Sequence, residues 1–322
     1  MKNFIDKLQT AIDEKQSFVC VGLDPRLEQI PTEVKEEIIA KYGQSKEAVG
    51  KILLKFNKGI IDAVENYVPV VKPQIAFYEQ YGFEGIKAYE ETIKYAQQKG
   101  LLVIGDAKRN DIGSTAKAYA AGHLGEVSFA EESDLGFKAD ALTVNGYLGS
   151  DGIKPFVDVC DRYQKGIFVL VRTSNPSAGE LQDLEVEGKK IYEVMAELVN
   201  QWGAESIGDC GYSAIGAVVG ATYPQEAERL RELMPASYFL VPGYGAQGGG
   251  AEDVVPAFNE DGYGAIVNSA RGIIFAYNRQ PWQEEYTSAQ YQQVAEAAVQ
   301  AMREDINSTL AKYDKLPWKS RG

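Results

Sequence analysis

Residues 101–115, LLVIGDAKRNDIGST, join a short apolar run to a charged one without a break. Near-continuous hydrophobicity over a few residues marks a strand buried on both faces, as in a parallel sheet. A charged tail on such a strand marks the end where a parallel α/β protein keeps its chemistry. Seven further runs follow this pattern: 18–24, 69–77, 141–145, 167–174, 214–222, 238–245 and 265–272. Helix-like segments separate them, among them KEAVGKILLKFNKGIIDAVENY, EGIKAYEETIKYAQQKG, GKKIYEVMAELVNQWGAE and PQEAERLRELM. Eight strands alternating with helices on one chain of 322 residues predict an α/β fold, a closed (β/α)8 TIM barrel, with residues 1–322 as a single domain. An open doubly wound sheet would carry a GxGxxG turn after its first strand, and FVCVGLDP has none.

Two segments read as additions. Residues 124–139 make an acidic connection before the fourth strand, and residues 283–312 read as one long C-terminal helix. The N-terminal MKNFIDKLQTAIDEKQ is an amphipathic helix pattern and lacks a signal-peptide core.

Composition narrows the function. The chain is 45% hydrophobic and 25% charged, with a formal net charge of -13. Without a Lys/Arg cluster, such an acidic chain is a poor partner for nucleic acid or an anionic membrane. No stretch has the apolar length of a membrane span. Cys20, Cys160 and Cys210 have no metal-ligand spacing and read as small buried hydrophobes in a reducing compartment. A cytoplasmic protein is expected. His123 is the one histidine. Multi-histidine zinc sites are therefore excluded, as are nucleophile–histidine mechanisms unless His123 itself serves. In AAGHLGEVSF it reads as a solvated or capping residue.

The strand ends hold the candidate chemistry: LD-P, VK-P, DAKRND, TVN, RTSNPS, PGYGAQGGG and NSARG. Asp106 and Lys108 lie two apart on one strand, so both should face the barrel interior. Lys72 ends the preceding strand, and Asp111 follows Lys108 by three residues. Two lysines and two aspartates are thus expected to converge. A structural ion-pair network is the plainer account, though four such groups at the functional end favour a catalytic one. A second site is expected where VPGYGAQGGG follows the seventh strand and Arg271 follows the eighth. Barrels frequently bind phosphate there, and a guanidinium supplies a bidentate charge. The glycines alone would equally serve turns.

DAKRNDI resembles the Asp-x-Lys-x-x-Asp signature of the orotidine 5'-monophosphate decarboxylase family. FVCVGLDP, VVKPQIAFYEQYG, ALTVNGYLG, VLVRTSNPSAG, VPGYGAQGG and NSARGI resemble its other blocks in the longer bacterial branch, over residues 18–274. A sugar-phosphate branch shares the signature but has an acidic residue where this chain has Lys72. The resemblance implies decarboxylation of orotidine 5'-monophosphate to uridine 5'-monophosphate in de novo pyrimidine biosynthesis, without metal or organic cofactor. It implies that Lys108 protonates C6 and that Asp106 lies against the substrate carboxylate. Lys72 would hold the network and contact the ribose. Asp24 would bind a ribose hydroxyl, Ser174 the pyrimidine, and Gln247 and Arg271 the phosphate. It also implies a homodimer in which Asp111, with Thr115 beside it, enters the neighbouring subunit's site. GST stands where many members have Pro-Asn-Thr. Two other readings remain: a magnesium-dependent sugar-phosphate lyase, and a barrel that binds a phosphate ligand without catalysis.

Overall fold

A computed structural model of the chain describes residues 3–127, 136–245 and 249–318. Eight strands form a closed parallel barrel in chain order: β1 (Val19–Leu23), β2 (Val70–Pro73), β3 (Leu102–Arg109), β4 (Ala141–Val144), β5 (Gly166–Arg172), β6 (Ser213–Val219), β7 (Ser237–Pro242) and β8 (Ala265–Ser269), with β8 closing on β1. Each coincides with one of the eight apolar runs, with β5, β6 and β7 starting one residue earlier than their runs. β1, β2, β4 and β6 are buried along their whole length, because the barrel interior covers one face and the helices the other.

The helices form where the 3.6-residue pattern sets them. Lys46–Val64, Phe83–Gln98, Ile191–Gly203 and Pro224–Leu233 match the four segments singled out in the sequence. The N-terminal helix Phe4–Lys15 is capped by the Asn3 side chain and buries Phe4, Ile5, Leu8 and Ile12. Phe4 meets Phe168 of β5 edge-on, with ring centroids 6.1 Å apart. This end of the barrel is closed by packing, which leaves the opposite end for a ligand. Among the described residues, no helix is long and apolar enough to cross a membrane.

Some sequence expectations need correction. The C-terminal helix is Tyr291–Lys312 and does not begin at 283. Two single 3-10 turns, Trp282–Glu284 and Ser288–Gln290, precede it. Thr287 is extended, and the Gln290 side chain accepts its backbone N–H, so the helix cannot run back through it. The connection after β5 carries a small hairpin, Glu185–Val186 with Lys189–Lys190, which no apolar pattern announced. His123 is neither solvated nor a cap. It is buried at the end of helix Gly113–His123, with its ring 5.0 Å from that of Phe137. Burial, with Arg109 nearby, pushes it down to about 4, so it is neutral at physiological pH. Of the 124–139 connection, residues 128–135 lie outside the described residues.

Gly85 shows how tightly the outer layer is set. A Cβ there would lie 1.9 Å from the carbonyl oxygen of Tyr78. Tyr78 is fully buried, and its hydroxyl donates to the Leu23 carbonyl at the end of β1. Gly85→Ala would gain about 1 kcal/mol of helix propensity. The displaced backbone should outweigh that, as overpacking costs about 1–3 kcal/mol or more. We expect a lower urea midpoint for Gly85→Ala; an unchanged midpoint would show that the Tyr78 carbonyl yields freely.

Candidate active site

The charged groups gather at the C-terminal ends of β1, β2 and β3. Register places Lys72 beside Gly22 of β1, and both face the interior. Lys72 is 5% exposed and Asp106 6%. Lys72 Nζ lies 2.5 Å from Asp106 Oδ2, and Lys108 Nζ lies 2.6 Å from Asp106 Oδ1. The Thr143 hydroxyl of β4 donates to Asp106 Oδ1 at 2.8 Å. Both oxygens of one buried carboxylate are thus occupied. Burial would raise the Asp106 carboxyl, but the two ammonium groups outweigh it and hold it well below the usual carboxylate range. For Lys72, burial acts downward and Asp106 and Asp24 act upward; the net shift is upward.

Simple strand alternation does not produce this geometry. β3 bulges against β4: Gly105 pairs with Leu142, but the next pair is Arg109 with Val144. Within the bulge Lys108 takes a left-handed backbone, φ 49°. The Thr143 hydroxyl oxygen accepts the backbone N–H groups of Ala107 and Lys108, each at 3.0 Å. Bulges re-aim side chains beside active sites, and a non-glycine residue at positive φ carries about 1–3 kcal/mol of strain. The result is a lysine tethered to a buried carboxylate while its own side chain stays 45% exposed in the barrel mouth.

That mouth opens into a cavity of about 470 Å³ lined by Lys72, Asp106, Lys108 and Thr143 on one side. Leu170, Val218, Leu240 and Pro242 make an apolar face opposite, while Thr173, Ser174, Asn175 and Gln182 form a polar rim. A flat ring with polar edges fits such a space. The rim is held from behind. Arg172, fully buried, bonds Glu226, and its guanidinium also donates to Gln182 at 3.3 Å and Asp183 at 3.4 Å. Gln182 in turn accepts the Thr173 N–H at 2.9 Å and donates to the Thr173 hydroxyl at 2.7 Å.

Asp24 stands two residues beyond Gly22. Its Oδ1 is buried without a hydrogen-bond partner, and burial raises its carboxyl while Lys72 acts against the rise. Asn268 of β8 pairs in register with Cys20, so it shares the inward side with Gly22, and its Oδ1 is also buried and unpaired. A side chain at Gly22 would close this corner, since a Cβ would meet that of Ala270 at 2.6 Å. Arg271 begins the short helix Arg271–Ile274 and is half-buried. Among the described residues, no carboxylate pairs with it. Its fork is available to an anion from outside. Gln247 lies outside the described residues.

The expected convergence of four charged groups holds for three within one chain. Asp111 is turned away: its Oδ1 accepts the N–H of Ile112 at 2.7 Å, and it does not line the cavity. Thr115 is exposed on helix Gly113–His123 and is also outside the cavity lining. Sequence reasoning missed Thr143, Gln182 and Asn268. The polar residues within the apolar run ALTVN and the strand end NSARG were the available signals for the first and last. Nothing marked Gln182, which ends the short helix Gly179–Gln182 in the connection after β5.

The profile of the orotidine 5'-phosphate decarboxylase / HUMPS family matches residues 17–286. An orotidine 5'-phosphate decarboxylase of Rhodopirellula baltica is 48% identical over 306 residues, covering 95% of this chain and 99% of the relative. The structure of Leishmania donovani OMP decarboxylase superposes with a TM-score of 0.70 at 30% identity, covering 95% of this chain and 98% of that one. Leishmania donovani UMP synthase superposes with a TM-score of 0.72 at 32% identity over 96% of this chain, which spans 56% of that protein's length.

Proposed function

Because this chain belongs to the orotidine 5'-phosphate decarboxylase family, we propose that it converts orotidine 5'-monophosphate to uridine 5'-monophosphate and carbon dioxide in pyrimidine biosynthesis, as a single domain over residues 1–322. The observation that carries this reading is Lys108, tethered to Asp106 in the mouth of a cavity with an apolar face. The C6–carboxylate bond breaks, carbon dioxide leaves, and the electron pair stays on C6. Lys108 gives its proton to C6 and regains one from solvent.

Asp106 lies against the departing carboxylate in this scheme. Two bare unit charges 4 Å apart at an effective dielectric of 20 repel by about 4 kcal/mol. Here both Asp106 oxygens already accept from an ammonium group, and one also from Thr143, so less than that is available. The larger contribution is electrostatic stabilisation of the C6 carbanion by Lys108, with binding energy from the remote phosphate. Lys72 orients Asp106 and reaches a ribose hydroxyl, and the unpaired Asp24 Oδ1 accepts another. Ser174 faces the pyrimidine edge. Arg271 and Gln247 take the phosphate. No step calls for a metal or an organic cofactor, and the corner where a metal-binding relative would place a second acid holds Lys72.

Asp111 fits a homodimer in which it completes the partner's site. It does not reach its own cavity. The exposed side chains of Ile112, Tyr147 and Leu148 lie on the same side of the barrel, where a subunit contact would bury them. The three cysteines are free, as suits the reducing cytoplasm.

The direct test is the ultraviolet change on mixing with orotidine 5'-monophosphate, with and without chelator. No change would refute the reading, and a change abolished by chelator would favour the metal-dependent lyase. Arg271→Ala should weaken transition-state binding of the phosphorylated substrate by about 2–5 kcal/mol, the range for a lost charge-assisted pair. Orotidine, which lacks the phosphate, should be processed poorly and about equally by both forms. Equal slowing on both substrates would remove Arg271 from the phosphate site.

A further inference from the structure

The C-terminal helix Tyr291–Lys312 follows the eight strand–helix repeats and takes no part in the centre around Asp106. It is fixed by packing of Val294, Val299, Met302, Ile306 and Leu310, and by tyrosine–carboxylate hydrogen bonds. Tyr67 donates to Glu296 at 2.6 Å, Tyr244 to Asp305 at 2.6 Å, and Tyr313, just past the helix, to Glu252 at 2.5 Å. Two of these three bonds end on the loop after β7. Tyr244 lies where the chain enters that loop, and Glu252 lies in the short helix Ala251–Val254 where it leaves.

Between these anchors the loop has a closed neck. Tyr244 bridges Gly249, the Gly245 N–H donates to the Gly249 carbonyl at 2.8 Å, and the Gly249 N–H reaches the Gly243 carbonyl at 3.3 Å. Burial, then Asp305, raises the Tyr244 hydroxyl above its ordinary value, so it remains a donor throughout the physiological range. The Arg271–Ile274 helix also packs on the C-terminal helix. The loop after β7 and the turn after β8 therefore lean on one support.

We infer that the C-terminal helix is a positioning element for the phosphate site, acting through the Tyr244–Asp305 bond on the loop neck. The inference rests on the reading of those two strand ends as phosphate-binding. Breaking one hydrogen bond to a carboxylate at the surface leaves the apolar face of the helix docked. It releases the neck, so part of the binding energy drawn from the phosphate is spent on fixing residues 243–245 and 249.

The test uses Tyr244→Phe and Asp305→Asn, assayed on orotidine 5'-monophosphate and on orotidine. For Tyr244→Phe, kcat/KM should fall about tenfold on the nucleotide and stay unchanged on the nucleoside, because only binding energy drawn from the phosphate is lost. Asp305→Asn, which keeps an acceptor oxygen, should show a smaller loss with the same selectivity. Equal losses on both substrates would mean the bond is merely structural, and no loss on either would mean the neck is set without it; each overturns the inference. If the wild-type protein itself fails to prefer the nucleotide over the nucleoside, the phosphate reading fails first.

Discussion

Lys108→Ala should reduce turnover of orotidine 5'-monophosphate by at least about ten-thousandfold while leaving the fold and the affinity for uridine 5'-monophosphate largely intact. Removing a proton donor alone forfeits about a hundredfold to ten-thousandfold. The same ammonium is the charge nearest the forming carbanion, and loss of one preorganised charge-stabilising donor adds about a hundredfold to a thousandfold. The fold should survive because the truncation leaves no buried charge bare: Asp106 keeps Lys72 at 2.5 Å and the Thr143 hydroxyl at 2.8 Å. Lys108 is itself the exposed member of the triad. Affinity for the product should survive because the groups assigned to ribose and phosphate, Asp24 and Arg271, follow other strands, β1 and β8. Stopped or steady-state absorbance assays measure the first quantity and calorimetric titration the second. Turnover within tenfold of wild type would end the proton-donor role.

Mixing two inactive variants, Lys108→Ala and Asp111→Ala, should restore about a quarter of wild-type sites once subunits exchange. In a two-fold dimer with a shared site, each centre uses Lys108 of one chain and Asp111 of the other. A mixed dimer then has one centre with both defects and one with neither. Random exchange of equal amounts makes about half of the dimers mixed, which gives the quarter. The geometry favours this over a site within one chain, since Asp111 is held by the Ile112 N–H and does not line its own cavity. If Asp111 acted in its own chain, every centre would retain a defect and nothing would return. Absence of rescue, with exchange verified by mass, would rule out the shared site.

The barrel was legible in the sequence because its strands are buried on both faces. Each therefore had to be a short apolar run, and Val70–Pro73 and Ser213–Val219 read as such without any knowledge of their neighbours. The strand-end lysines and aspartates were legible for a related reason. A charge beside a fully buried strand is costly enough that its presence there points to use. Lys72, Asp106 and Lys108 were accordingly found, and the structure brings them together.

What tertiary structure alone decided is how those groups are aimed and braced. The pairing of Lys108 with Asp106 depends on a bulge in β3 that Thr143 stabilises from β4. The rim of the cavity depends on Arg172 bonding Glu226, and the β7 loop on Tyr244 bonding Asp305, 54 and 61 residues apart in the chain. His123 looked solvated among glycines but is buried in the fold, where Phe137 packs against it. Hydrophobic period is a local property, written by each segment for itself. The partner of a hydrogen bond is chosen by whichever distant segment packs within about 3 Å, and nothing in either segment alone records that choice.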